Sequence, residues 1–354
     1  MGEILGLGLT HYPGLVAQDQ NMAGILRQVI ADPGLPERYR DPANWPEPLR
    51  REWGGDEGKA AAAAHREDLV QHLRRVRKAL DEFRPDAVLI WGDDQYENFK
   101  EDIIPPFCIL AYELAEVKPW GQLAHFGLGS NAWGEDPETV FRMPVHREAG
   151  KYLARQLLER DIDVSYAYKP LHQDGLGHAF VNTVLFLDYD RTGFPYPIIP
   201  FQVNCYGRRV IAQRGFRGSL ASPLGEGDFD PPSPSPRRCL EAGAATARAM
   251  QESPWRIALI ASSSWSHAFL TDKNYQLYPD IDADRRLYEA LKAGDYDTWR
   301  STSLASIEES GQQEMLNWFC LAGAMEALGR RPDECEYVES WVFNSSKCFA
   351  IFRA

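Results

Sequence analysis

Three histidines and one glutamate in this chain have the types and settings for metal and proton chemistry. His11 closes the apolar run Ile4 to Leu9 and precedes a Pro13-Gly14 turn, which projects its imidazole from a strand end. His178 follows two glycines in the stretch Asp174 to Phe180, where backbone can approach a ligand closely. His267 comes after an apolar run that breaks into the small polar residues Ser262, Ser263 and Ser264. Glu314 lies in the otherwise apolar stretch Gln312 to Met325. A carboxylate on the buried side of a helix is costly unless paired or metal-bound. On an exposed face near the helix start the macrodipole would favour it instead, and the sequence leaves both placements open. Two neutral imidazoles and a carboxylate on one face make the site of non-haem Fe(II) enzymes that activate oxygen, with positions left for substrate and dioxygen. Further histidines beside such a site would move protons.

The elements that must position these groups read as an α/β fold. The run Ala87 to Trp91 has strand character, stops at Gly92 and delivers Asp93, Asp94 and Gln95. In open α/β sheets ligands collect beyond the carboxyl ends of strands. Ahead of it, Lys59 to Phe83 repeats Leu69, Leu73, Val76 and Leu80 at helical spacing after five alanines. Further strands are expected at Ile4–Leu9, Phe107–Leu110, Val164–Tyr168, Val184–Leu187, Ile198–Val203 and Ile257–Ala261, and helices over 143–160, 237–252, 284–293 and 312–327. Together they predict one large domain over 1–354, a central mixed sheet flanked by helices, with its site at the strand carboxyl ends. Residues 13–58 read as a surface insertion with short helices, and 225–238 as a stiff Pro-rich loop.

Bulk properties narrow the function. At 354 residues and 44% hydrophobic the chain can bury a large core. A formal charge of −13 argues against nucleic acid as a partner. No apolar run is long enough to span a membrane. The start of the sequence lacks the basic and apolar regions of a signal peptide. Six scattered cysteines without a CxxC pair read as free thiols, so the expected location is the cytoplasm. A homodimer is the expectation from base rates.

At this point the motifs resemble a known family, the class III extradiol ring-cleaving dioxygenases, the group that contains the catalytic subunit of protocatechuate 4,5-dioxygenase. The resemblance runs in order along nearly the whole chain. Gly8 to Pro13 is similar to the segment of the first metal histidine, and Pro85 to Phe99 to the second strand. Ile103 to Phe107 and Ile198 to Asn204 resemble core strands. Gly177-His178 resembles the segment of a histidine beside the metal, Ser264 to His267 that of the acid–base histidine, and Glu314 to Trp318 the helix with the metal glutamate. The resemblance implies Fe(II) held by His11 and Glu314. It implies His267 as the base toward a substrate hydroxyl and His178 as a donor to substrate or oxygen. The implied reaction opens a catechol-, gallate- or aminophenol-like ring with both atoms of dioxygen incorporated.

One departure stands out. Where the protocatechuate enzyme has Asn-Asp-His, this chain has Asp93-Asp94-Gln95, so a metal histidine is missing. Gln95 could ligate through its amide oxygen, Asp94 could turn in, or a histidine could come from elsewhere. Geometry nominates His65: from it to Phe83 the helix runs roughly 27 Å, and the strand back from Pro85 to Gly92 covers roughly 26 Å. That sets His65 level with the strand's carboxyl end and puts His72 too far down. The protocatechuate enzyme's catalytic chain is accompanied by a small closing subunit that some relatives carry fused; no such fusion is visible after Glu314, and the 13–58 segment is a candidate cover for the site instead. Two alternatives stand beside ring cleavage: a relative that binds metal or a partner without it, and a metal-dependent hydrolase using Asp93, Asp94 and His267.

Overall fold

The computed structural model describes residues 2–121, 123 and 129–354. Ten strands are present among them: β1 Ile4–Leu9, β2 Ala87–Asp93, β3 Phe107–Leu110, β4 Leu114–Val117, β5 Phe141–Pro144, β6 Ser165–Ala167, β7 Ile198–Val203, β8 Ile257–Ser262, β9 Glu334–Val338 and β10 Lys347–Phe352. Eight form one mixed sheet in the order β6-β3-β7-β2-β8-β1-β10-β9, and β4 pairs with β5 apart from it. The four central strands β7, β2, β8 and β1 are mutually parallel. Their carboxyl ends therefore open on one edge, as the sequence led one to expect.

These strands are buried on both faces, which is why they read as unbroken apolar runs. Side chains alternate between two core layers. Leu5, Leu7, Val88, Ile90 and Ile260 enter one, while Leu89, Trp91, Phe201, Leu259 and Ala261 enter the other. The first layer is covered by helices Lys59–Phe83 and His178–Leu187, the second by Arg147–Leu158, Pro236–Glu252 and Leu316–Ala327. The helices Pro236–Glu252 and Leu316–Ala327 meet backbone to backbone. A Cβ on Gly243 would lie 1.8 Å from the Cys320 carbonyl oxygen, and one on Gly323 would lie 2.1 Å from that of Leu240. This close crossing fixes the turn just ahead of Leu316, which carries Glu314.

The structure corrects three local expectations. Val184–Leu187 is the end of a helix, His178–Leu187, and not a strand. Residues 179–187 of that helix are all buried, so no exposed face marks the 3.6-residue period, and a short apolar run reads either way. Ile103 to Pro106 lie outside the sheet, with Ile103 exposed; Pro105 and Pro106 have no N–H to donate, and β3 starts at Phe107. The 13–58 segment is not merely superficial: Leu26, Trp45, Leu49 and Trp53 are buried in the first core layer. No helix among the described residues is long and apolar enough to cross a membrane.

Candidate active site

Parallel strands bring the sequence-marked residues to one edge. His11, just past β1, is 1% exposed. Its Nδ1 lies 3.0 Å from the Ser262 carbonyl oxygen, which can only accept, so Nδ1 carries the proton and Nε2 offers a lone pair. That Nε2 is 3.5 Å from Asp93 Oδ1 and 3.4 Å from Glu314 Oε2. Asp93 is the last residue of β2, and Glu314 sits in a single 3-10 turn, Gln313–Met315, leading into helix Leu316–Ala327. Asn317, on the first turn of that helix, donates to Asp93 Oδ1 (3.2 Å) and to the Ser262 carbonyl (3.2 Å).

Three atoms at this point, His11 Nε2, Asp93 Oδ2 and Glu314 Oε2, are buried without a hydrogen-bond partner. Orphaned polar atoms cost stability, and two buried carboxylates side by side cost more. An imidazole lone pair with two carboxylate oxygens is a donor set for a divalent cation, so these residues fit one. The electrostatics express the same crowding. Burial, then the Glu314 charge, pushes Asp93 up to about 6. Burial would raise Glu314 too, but the neighbouring imidazoles of His267 and His11 hold it well below the carboxylate range. His11 is raised because the Asp93 and Glu314 charges outweigh its burial.

Two further histidines face this group. His267 follows β8; its Nδ1 lies 2.7 Å from the Trp265 carbonyl oxygen, and its Nε2 is 3.1 Å from Glu314 Oε1. The Tyr206 hydroxyl, beyond β7, donates to the same oxygen. His178 opens its helix with its ring edge-on to His11, 5.1 Å between centroids. Ligand atoms of His11, Asp93 and His178 lie within 4.8 Å of one another. The His178 Nδ1 is 2.8 Å from Glu97 Oε2, and its backbone N–H donates to the same carboxylate at 3.0 Å. Burial opposes charge on His178, but the Glu97 carboxylate prevails and lifts it to about 10. A cleft of about 320 Å³ adjoins Tyr206 and Gln313 and is walled by Arg209, Phe229 and Leu270.

His11, Glu314, His178 and His267 are thus brought together, whereas His65 and Gln95 are not part of the group. Helix Lys59–Phe83 lies over β1 and β10 rather than β2, so its first turns reach Tyr12 instead of Asp93. His65 stacks on Phe343 at 4.9 Å and meets Tyr12 edge-on at 6.3 Å. Burial and the charges of Lys347 and Arg66 depress its pKa well below the usual value. Gln95 donates to the Gly215 carbonyl (2.7 Å), and its Oε1 lies 3.5 Å from the Tyr206 hydroxyl, whose proton goes to Glu314. Asp94 accepts from the backbone N–H groups of Glu97, Asn98 and Phe99, which removes it from any hydrolase set with Asp93 and His267. Asp93 as a member of the cluster, with Tyr206, Glu97 and Asn317, was not singled out by the family comparison. A signal for Asp93 existed: strand alternation puts residues 89, 91 and 93 on one face, toward the Glu314 helix, and Asp94 on the other.

The sheet thus gathers, beside the ends of parallel strands, an imidazole and two carboxylates with two more histidines next to them, a donor set that fits a metal ion. Comparison with known proteins shows what the chain is similar to. The chain is 29% identical over 199 residues to a 2,3-dihydroxyphenylpropionate/2,3-dihydroxicinnamic acid 1,2-dioxygenase from Paraburkholderia phymatum, covering 56% of this chain and 48% of that protein. It is 28% identical over 203 residues to the protein of that name from Burkholderia vietnamiensis, covering 56% and 50%. A Klebsiella pneumoniae protein of the same name aligns over 326 residues at 22% identity, covering 78% and 88%. The chain spans about half the length of the first two of these curated relatives. No family model matches it. The chain is thus similar, over part of its length, to curated dioxygenases of this name.

Proposed function

We propose that this protein is an Fe(II)-dependent extradiol dioxygenase that opens the ring of a catechol-, gallate- or aminophenol-like aromatic. The observation that carries the reading is the set of three orphaned, buried ligand atoms on His11, Asp93 and Glu314, flanked by His178 and His267. Divalent iron held by His11 and Glu314 would supply the path by which an aromatic diolate and dioxygen exchange electrons. The chain's own residues do the rest. His267 Nε2 receives a proton from the substrate hydroxyl, its ring fixed by the Trp265 carbonyl. His178, held by Glu97, directs its other nitrogen to the site and donates a proton to oxygen or to the opened ring. Tyr206 fixes Glu314 by its hydroxyl. Both oxygen atoms end in the product, so no external reductant enters. Six free, buried cysteines support action in the reducing cytoplasm.

The relatives' name places 2,3-dihydroxyphenylpropionate first in the substrate panel. The test is anaerobic loading with Fe(II), then oxygen uptake and product absorbance with that acid, catechols, gallates and aminophenols. Uptake matched by a ring-opened product supports the proposal. Bound iron with no uptake on any of them refutes it and leaves a relative that binds without ring cleavage.

A further inference from the structure

The missing histidine at Gln95 leaves open what completes the metal site, and this inference rests on the metal reading just given. We infer that Asp93 is the third ligand, so that the metal is held by one imidazole and two carboxylates. The three replacements considered for the missing histidine are engaged elsewhere. Gln95 is bonded to the Gly215 carbonyl, Asp94 caps the backbone of residues 97–99, and His65 packs between Phe343 and Tyr12. His178 bonds Glu97 through Nδ1 and keeps its other ring nitrogen toward the cluster, as the proton-donor role assigned above requires, with its side chain 23% exposed. Asp93 by contrast is 0% exposed, and its Oδ2 has no partner.

The surroundings of Asp93 are built to aim that oxygen. Asn317 binds Oδ1, which leaves Oδ2 as the free lone-pair donor. The second bond of the same amide goes to the Ser262 carbonyl, which also receives His11 Nδ1–H. One peptide carbonyl and one amide thereby orient both ligands, and the amide grows from the helix turn that follows Glu314. Outer partners of this kind are what set ligand direction in metal sites. Two carboxylates cancel the formal charge of a divalent ion, where a two-histidine site would leave one positive charge. Such an oxygen-rich set suits Mn(II) and Fe(II) better than the softer demands of Cu or Zn.

The experiment titrates the chelator-stripped full-length protein with Mn(II), reading free ion by EPR, for the native sequence and for Asp93→Asn, Gln95→Ala, His11→Ala and Glu314→Gln. Asp93→Asn, His11→Ala and Glu314→Gln should each weaken Mn(II) by about 100-fold or more, and Gln95→Ala should change it by less than about threefold. Nitrogen ENDOR on the native Mn(II) protein should show a single coordinated imidazole, which keeps the question decidable if Asp93→Asn fails to fold. Native affinity in Asp93→Asn, or two coupled imidazoles, overturns the assignment while the metal reading stands. A native protein that takes up neither Mn(II) nor Fe(II) overturns both.

Discussion

Asp284 offers a sharp test of how the site is held, because it bonds to both loops that deliver its chemistry. From helix Ile281–Ala293 its buried carboxylate accepts from the Ser266 backbone N–H (3.0 Å) and from Gln312 Nε2 (2.7 Å), with the Tyr337 hydroxyl at 3.4 Å. Ser266 precedes His267, and Gln312 lies two residues before Glu314. Replacing Asp284 by Ala strands two buried donors at about 1–3 kcal/mol each. For a chain of 354 residues, with an unfolding entropy of about 0.7 kcal/mol/K, that lowers Tm by about 3–8 °C. Displacing His267 and Glu314 together should also lower kcat by about tenfold to 100-fold. Asp284→Asn keeps an acceptor for Ser266 and Gln312 and presents its N–H₂ to Tyr337, so at neutral pH it should stay within about 1 kcal/mol of native.

The pH dependence separates the two states of Asp284. Burial raises its pKa from 3.8 to about 8, against the bonds from Gln312 and Ser266 that favour the anion. A carboxyl raised in the fold binds a proton there that the unfolded chain has released. Its contribution is therefore whole below the unfolded value and is lost as pH climbs through the folded one. Between these limits the slope is about 1.4 kcal/mol per pH unit, or about 2 °C of Tm per unit. Other groups titrate in the same range, so the measurement is the difference between native and Asp284→Asn melting curves from pH 4 to 9. The native protein should lose Tm relative to the variant across that range. Parallel curves, or an Asn variant as damaged as the Ala variant, would refute the reasoning.

Three further outcomes follow from the same geometry. Glu97→Gln removes the charge that lifts His178 to about 10, so the alkaline limb of the pH–rate profile should move toward neutral pH, with Glu97→Asp restoring it in part. Tyr206→Phe deletes a donor to Glu314 Oε1 and should weaken Fe(II) by about tenfold, measured by competition with a chelator. His65→Leu should leave Fe(II) affinity unchanged, because that ring stacks on Phe343 outside the cluster; a lost metal would restore it as a ligand.

Most of the fold was legible because the central strands are buried on both faces and so appear as plain apolar runs between turn residues. Ile4–Leu9, Ile198–Val203 and the helix Lys59–Phe83 have the ends expected from sequence. The failures share a cause in burial without periodicity. Helix His178–Leu187 hides its period because residues 179–187 are all covered. Strands β9 and β10 went unread because they are paired antiparallel beyond β1, where no helix–strand alternation announces them.

The site was legible as a list of types and not as a shape. His11, His178, His267 and Glu314 declare themselves because a polar group just past an apolar run has few reasons to be there. The second acidic group, Asp93, is decided by which way a strand ends, and here the argument from helix and strand lengths failed for a physical reason. Equal lengths set His65 at the right height, but height does not choose between neighbouring strands, and the helix packs over β1 and β10. Alternation along β2 does choose. Trp91 points into the layer of the Glu314 helix, so Asp93, two residues on, must point there as well, and Asp94 must point away. The loss of a histidine at Gln95 therefore need not disarm the site, because one residue earlier on the correct face the chain already carries a carboxylate, with Asn317 in place to aim it.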